Sequence, residues 1–597
     1  MTRVRTVVDE FVVPGMRRLT CDGFRVDLDL SSQVLAVQAP VDTSFSFDRH
    51  EKQGPAEAPL SSTLGSIDRT NLVSASVLAQ KAKIFDDGLY AAVEVATQAG
   101  AGRHAGKAAL VASLGRALAG SDRLVARTAQ DRLLGAARLG RIPVEGVPAA
   151  VGARAQQAVD VFLADEVLCK PIGFYTWSQE LKNIFQQDRM LQGELDAAGI
   201  GALAGALRDD PSARATYERH LRLVSRLTNP FAQPDLRSLL EAYDRGHTGA
   251  AEAGARFFPP SVAHETEVAK KLFGNRSIPD GFVLADEMVR QIRASELDLT
   301  PRAESGWYDY QTWALEALVI PERMPEGERL KLDEGYRNHL VELFKGLLTL
   351  TRETHIKQVE IPEMGAALGG WNREVSIDIE PALSAEPLAT FYLRRALGYR
   401  YLRSVLEEAF GSEELERLHR LSETGPVPVG LAEELVGIEG LFLGAHVSIR
   451  RELGLVPDTA TLSDKSATEA ANRFAGWASD VKSDVDLGSD LRGMVPLFYD
   501  VERRKWKVWA FLGWAHRPIT VSFARPPQAT VCDLEGHRLP RPPVIRWHTL
   551  FSKLPYPVTA EVYVDSILDR DEFRALCDAS GAHLEILRRF GASAKPA

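Results

Sequence analysis

The stretch that decides the fold is residues 494–523, MVPLFYDVERRKWKVWAFLGWAHRPITVSF, because a long helical pattern ends there and a β pattern begins. Two strand-like runs, 494–501 and 506–514, are joined by a charged turn at 502–505, which predicts a β-hairpin. The second run is apolar on both faces, a pattern typical of a strand buried on both sides. The region is also rich in basic residues and tryptophan, but buried tryptophans cannot stack on bases. We therefore expect this hairpin to be structural, with no role in nucleic-acid binding.

Shorter apolar runs at 519–523, 530–532 and 560–564 predict further strands, and 570–590 predicts a final helix. Upstream, helical periodicity starts at about residue 72 and continues to the β-rich tail, interrupted by Gly and Pro breaks. The predicted helices are 104–119, 121–139, 150–168, 177–195, 213–228, 262–273, 281–295, 306–320, 330–359, 386–410 and 430–453. Their lengths follow no fixed period, so a solenoid repeat is not indicated.

The N-terminal part alternates apolar and charged residues over 24–30, which predicts a half-buried strand, and 40–70 predicts a long surface loop. We therefore divide the chain into 1–70 (strands and loop), 71–485 (helical body) and 486–597 (β-meander and final helix). The predicted fold class is mainly α, a large irregular helical body with a β-rich C-terminal subdomain (α+β).

The composition of the 597 residues is that of a globular protein: 45% are hydrophobic, 25% are charged and the formal net charge is −10. The composition excludes a disordered chain, a collagen-like chain and a small disulfide scaffold, and the negative charge argues against a protein that mainly coats nucleic acid. The four cysteines, at 21, 169, 532 and 577, are far apart and form no C-x-x-C motif, so we expect free thiols in a reducing compartment. No signal peptide or membrane-spanning segment is recognisable, which favours a cytoplasmic protein without a membrane partner.

The most distinctive motif is KPIGFYTWSQEL at residues 170–181. Pro171 and Gly173 end one helix, and Thr176 followed by Gln179 predicts a capping box for the next helix, starting at 177. The aromatic residues 174, 175 and 177 would then plug the joint between the two helices.

This motif resembles a K-P-x-G-x-Y-T-x-S-x-E-L stretch in a large bacterial domain family of unknown function. Weaker similarity extends to 352–358 and 480–484. The resemblance implies a mostly helical fold with a β-rich end, and it implies no activity.

A second motif lies on the predicted helix 306–320, where Trp307, Tyr310 and Gln311 share one face with Ala314, Leu315 and Leu318. Aromatic stripes at this spacing usually pack in a core. Polar groups among them can instead line a ligand pocket, because buried polar groups need partners.

The predicted helix 330–359 carries Arg352 and His355 on the extension of its apolar face. One interpretation is an internal ion pair between Arg352 and Glu316. The other is a site in which Arg352 anchors an anionic ligand and His355 transfers a proton, with Glu316 as a second catalytic group. The spacing of the surrounding acidic residues fits no zinc motif, so no metal is predicted.

No phosphate-binding loop, dinucleotide fingerprint or nucleophile elbow occurs, so no nucleotide or other cofactor is predicted. We therefore predict a cytoplasmic binding or scaffold protein whose partner is an unidentified small molecule or protein. The alternative is an enzyme of unfamiliar type with a pocket between helices 306–320 and 330–359. There, Trp307, Tyr310, Gln311 and Arg352 would bind the ligand, and Glu316 and His355 would act on it.

Overall fold

The computed structural model describes residues 16–29, 34–39, 72–120, 127–246, 254–350, 375–377, 383–456, 464–547 and 550–590, except 22, 172, 263, 275, 278, 280–282, 488–491, 526–527, 543–544, 569 and 581–582. Helices dominate this part of the chain, and the longest strands lie near its C-terminal end. The predicted class, mainly α with a β-containing C-terminal region, is confirmed.

The helical body begins with a central helix and eight others. They are α1 (Ala75–Ala99), α2 (Lys107–Ala119), α3 (Arg127–Leu139), α4 (Ala149–Leu163), α5 (Glu166–Cys169), α6 (Gln179–Leu191), α7 (Ala197–Asp209), α8 (Pro211–Leu227) and α9 (Arg237–Asp244).

It continues with α10 (His264–Phe273), α11 (Leu284–Arg293), α12 (Trp307–Val319), α13 (Glu334–Leu350), α14 (Ala389–Phe410), α15 (Ser412–Arg417), α16 (Leu431–Glu452) and α17 (Asp464–Ser479). Two further helices, α18 (Arg570–Asp578) and α19 (His583–Phe590), follow the C-terminal strands. None of the helices in the described ranges combines the length and apolar character needed to cross a bilayer.

The strands are β1 (Met16–Cys21), β2 (Phe24–Asp29), β3 (Leu35–Gln38), β4 (Leu330–Leu332), β5 (Val375–Ile377), β6 (His419–Ser422), β7 (Gly425–Gly430), β8 (Gly493–Asp500), β9 (Lys505–Phe523), β10 (Gln528–Cys532), β11 (Ile545–Trp547) and β12 (Leu550–Val564). The long strand β9 pairs antiparallel with β8 and β12, as the predicted hairpin requires, and its far end pairs with β3. β2 lies between β1 and β10. Strands from the two ends of the chain therefore share sheets.

Two hydrophobic cores hold the helical body together. The first is formed mainly by α1, α10–α14, α16 and α17, and it includes residues of β3, β4 and β9. The second lies within residues 110–258 and involves α2–α9. Helix α8 contributes to both, with Tyr217 and Leu221 in the second core and Leu223 and Leu227 in the first.

The two faces of β9 pack against different cores. Val508, Ala510 and Leu512 contact α18 and α19 in a third hydrophobic cluster, whereas Phe511 belongs to the first core. The two-sided burial predicted for this strand is thus confirmed for these four side chains.

The predicted helix 330–359 is wrong at its start. Leu330 and Leu332 are buried while Lys331 is exposed, and this alternation belongs to β4, which pairs parallel with β3. The helix itself runs over Glu334–Leu350, and 351–359 lie outside the described residues, as do 40–70. The predicted strand 24–30 is present as β2, with Val26 and Leu28 fully buried.

Candidate ligand-binding site

Two of the site residues predicted from the sequence, Trp307 and Gln311, are buried on α12. Gln311 Nε2 donates to Asp86 Oδ2 on α1 at 3.2 Å, and Tyr399 of α14 donates its hydroxyl to Asp86 Oδ1 at 2.9 Å. Trp307 packs against the Tyr399 ring with 5.2 Å between centroids. Together with Arg395, these residues form what we term the Asp86 centre, which is internal to the first core.

Tyr310 and Glu316 lie elsewhere on the same helix. The Tyr310 ring stacks on Tyr401 at 4.5 Å, and burial raises the pKa of the Tyr310 hydroxyl. Glu316 Oε2 accepts from Arg394 at 2.7 Å. The ion-pair partner of Glu316 in the described structure is therefore Arg394, whereas one interpretation of the sequence paired it with Arg352. Arg352 and His355 lie outside the described residues, so a site at the end of α13 stays a prediction.

A different group of residues meets at the junction of the two cores. Lys107, the first residue of α2, is fully buried, and its Nζ donates to Glu94 Oε2 at 2.9 Å and to Asp188 Oδ2 at 2.5 Å. Glu94 Oε1 accepts the Tyr175 hydroxyl at 2.9 Å. We term these four residues the Lys107 centre. It joins α1, α2, α6 and the single turn of 3-10 helix Gly173–Thr176.

The carboxylates of the Lys107 centre reach the surface although the ammonium does not. The side chains of Glu94 and Asp188 are 25% and 20% exposed, against 0% for Lys107. The two carboxylates raise the pKa of Lys107 against the opposing effect of burial, so this lysine stays protonated. Burial and the neighbouring Glu94 raise the pKa of Asp188, which Lys107 opposes.

A buried amide pair supports the Lys107 centre. Gln98 Nε2 donates to Gln187 Oε1 at 2.8 Å, and Gln187 Nε2 donates back to Gln98 Oε1 at 3.0 Å. Gln187 Nε2 also contacts Asp188 Oδ1 at 3.2 Å. Gly140 makes room for this arrangement, because a Cβ there would clash with the Gln187 side-chain oxygen. The amide pair that contacts Asp188 therefore packs closely against the end of α3.

The loop before α2 adds two buried histidines. Gly102 has a left-handed φ of 48°, and a Cβ on it would clash with the Phe410 carbonyl, so the loop lies directly against the end of α14. His104 Nδ1 accepts from the Gly106 amide at 3.2 Å, which places the proton on Nε2. The ring faces His220 of α8 edge-on at 5.7 Å.

Both histidines are neutral at physiological pH. Burial, with smaller effects from Lys107 and Arg219, lowers the pKa of His104 to about 4, and burial lowers the pKa of His220 well below its usual value. Within the described structure His104 Nε2 and His220 Nδ1 have no hydrogen-bond partner. Clusters of titratable groups with shifted pKa values are typical of functional sites, and structural ion-pair networks also shift pKa values.

The motif 170–181 reaches the Lys107 centre through its aromatic residues. Phe174 stacks on Tyr90 at 6.4 Å, contacts Tyr175 at 4.4 Å and meets Trp177 edge-on at 6.2 Å. Tyr175 also packs against Phe185 at 5.1 Å. All five side chains are half-buried. We term them the aromatic cluster.

The capping box predicted at Thr176 and Gln179 is wrong. Helix α6 begins at Gln179, and Ser178 is its N-cap, with Oγ accepting from the Leu181 amide at 3.1 Å. The Thr176 hydroxyl instead donates to the Gly173 carbonyl at 2.8 Å. Both residues are good capping types, and only the backbone path of the 3-10 turn decides between them.

Within the described residues, no group of three His, Cys, Asp or Glu side chains is arranged to hold a metal ion. His104 could not ligate one through Nε2 without a change of tautomer, because Nδ1 already faces an amide donor. In comparisons with known proteins, no protein-family model, curated protein or solved structure matches the chain.

Proposed function

We propose that the protein binds a small polar molecule beside the Lys107 centre. The observation that carries the proposal is the half-exposed aromatic cluster next to two carboxylates that a buried lysine holds in place. Ligand sites occur preferentially where two packed units meet, and they combine aromatic walls with a few fixed polar groups. The junction of the two cores meets both conditions.

The chemistry of these groups favours a ligand that offers hydrogen-bond donors and an apolar face. Among the described residues, one hydrogen bond is made to each carboxylate oxygen of Glu94 and Asp188, and each oxygen can accept a second. The aromatic rings would cover the apolar face. Saccharides and organic ammonium ions both have this character.

Binding is favoured over catalysis by the protonation states of the same groups. Lys107 is held as an ammonium ion, so it cannot act as a nucleophile. His104, with a pKa of about 4, is a weak base that supplies no imidazolium acid near neutral pH. The alternative enzyme, with its pocket between 306–320 and 330–359, stays a prediction.

We test the proposal by calorimetry with two probe panels, mono- and disaccharides and short alkylammonium salts. At least one panel should bind wild-type protein, and Trp177→Ala should weaken that binding at least 10-fold. Tyr175→Phe should weaken it less, because the aromatic ring stays and the hydroxyl bond to Glu94 is lost. Tyr401→Phe is the matched control, a half-buried tyrosine outside the cluster whose hydroxyl donates to the Ser305 carbonyl. No binding by either panel, or equal affinity in Trp177→Ala, would contradict the proposal.

We also propose a cytoplasmic location and membership of the bacterial family that the motif 170–181 resembles. Support for a reducing compartment comes from the cysteines. Cys169, Cys532 and Cys577 are buried, and the Cys169 thiol donates to the Leu163 carbonyl at 3.5 Å.

A further inference from the structure

The Asp86 centre contains an ion pair that is not closed. The nearest approach of Arg395 to Asp86 is 3.8 Å, from NH2 to Oδ2, which is too long for a hydrogen bond. The Tyr399 hydroxyl stands between the two groups: it accepts from Arg395 NH2 at 3.1 Å and donates to Asp86 at 2.9 Å. Both charged residues are only 7% exposed.

Arg395 is surrounded by aromatic rings and is not fully hydrogen-bonded. Its guanidinium carbon lies 5.9 Å from the Trp307 ring, 5.3 Å from Tyr399 and 5.5 Å from Phe442. Within the described residues, Arg395 Nε and Trp307 Nε1 have no hydrogen-bond partner. Among the described residues, the guanidinium therefore keeps one unused donor beside its hydrogen bond to Tyr399.

In the part of the chain that the structure describes, few other charged groups face Asp86. Helix α14 supplies Arg395 and Tyr399, and α12 supplies the neutral Gln311. On α1 itself, Lys83 and Asp87 are next to Asp86 and pair with each other. The state of Asp86 is thus controlled mainly by burial and by Arg395.

We infer that the Asp86 centre is a proton-linked switch between α1 and α14. With Asp86 ionised, the centre has the bridged arrangement described above, in which the two carboxylate oxygens accept hydrogen bonds from Tyr399 and Gln311. When the carboxyl takes up a proton from solvent, the net charge of the Asp86–Arg395 pair rises from 0 to +1, and the oxygen that carries the proton becomes a donor. Arg395 then loses its attraction to the carboxyl, is stabilised by the aromatic rings and changes its contact with Trp307.

The two states are close in free energy near neutral pH. Burial raises the pKa of Asp86 to about 7, although Arg395 and the Tyr399 hydrogen bond both act to lower it. The folded protein holds the Asp86 proton more tightly than the unfolded chain does. The stabilisation that this proton gives the folded state is therefore complete below pH 4. That contribution is lost progressively as the pH rises from about 4 to about 7.

The test uses the full chain labelled with 5-fluorotryptophan and followed by ¹⁹F NMR from pH 5.5 to 8.5. The Trp307 signal is assigned by its disappearance in Trp307→Phe. In the otherwise wild-type protein this signal should shift with a midpoint near pH 7. Asp86→Asn should hold it at its low-pH position throughout, whereas Asp87→Asn, the adjacent control, should leave the titration unchanged.

Two substitutions of Arg395 test the inference even if Asp86→Asn does not fold. Arg395→Met removes the cation that favours the ionised carboxyl, so the midpoint should move to higher pH, while Arg395→Lys should keep it closer to wild type. A Trp307 signal that does not respond to pH would overturn the inference. A titration that persists in Asp86→Asn, or a midpoint unaffected by Arg395→Met, would do the same.

Discussion

Gly140 lacks a side chain at a point where the Gln187 side-chain oxygen fills the space that a Cβ would take. Gly140→Ala should therefore displace the Gln98–Gln187 pair and lower the free energy of unfolding by about 1–3 kcal/mol, the usual range for overpacking. Gly205→Ala is the matched control, since α7 leaves open space around that residue. It should raise stability by about 0.5–1 kcal/mol through helix propensity.

Urea denaturation of the two variants measures both effects. If Gly140→Ala and Gly205→Ala change the free energy of unfolding equally, Gln187 can move away from residue 140 without loss of stability. In that case Asp188 would not depend on the amide pair for its orientation.

At the scale of one element, substitution of two neighbouring hydroxyl residues, Thr176 and Ser178, tests which of them caps α6. Ser178→Ala removes the acceptor of the Leu181 amide and should cost about 1 kcal/mol of stability. Thr176 is exposed, and among the described residues its hydroxyl bonds only to the Gly173 carbonyl, so Thr176→Ala should stay within about 0.5 kcal/mol of wild type. Chemical denaturation of both variants decides the assignment, and the reverse order would restore Thr176 as the cap.

The helices that the sequence predicts well are those bounded by Gly and Pro and apolar on one face, such as α12 and α16. The sequence predicts helical periodicity from residue 72 but does not give the bounds of α1. It buries Gln80, Asp86 and Gln98 among its apolar residues, and this obscures a single apolar face. Asp86 and Gln98 are tolerated there because they find partners on α6, α12 and α14.

The Lys107 centre could not be predicted for a related reason. Glu94, Lys107, Tyr175 and Asp188 come from four separate segments, and no spacing within one helix brings them together. Only the motif 170–181 gave a signal, and Tyr175 lies there among aromatic residues that also pack against one another. Gln311 was correctly singled out as a buried polar group, but its partner, Asp86, is 225 positions away.

At the scale of the whole molecule, the two cores of the helical body should open separately. Leu203 is buried in the second core and Leu402 in the first, and truncation of either to alanine should cost about 2–5 kcal/mol. Under native conditions, Leu203→Ala should accelerate amide exchange mainly in α3 and α7, and Leu402→Ala mainly in α14 and α16. Mass spectrometry of deuterium uptake provides the measurement. Uniform acceleration along the chain in both variants would mean that the cores unfold as one unit.

The pairing of β2 with β10 and of β3 with β9 has a consequence for synthesis on the ribosome. Residues 16–38 leave the exit tunnel long before residues 505–532 have been made. At typical elongation rates of 5–20 residues per second, the delay is about 25 to 100 s. During this interval the first strands expose unpaired edges while the helices between them can already fold. A nascent chain should therefore bind chaperones through residues 16–38 until residues 505–532 have been synthesised. A series of ribosome-stalled chains with crosslinking would show at which chain length that contact is released.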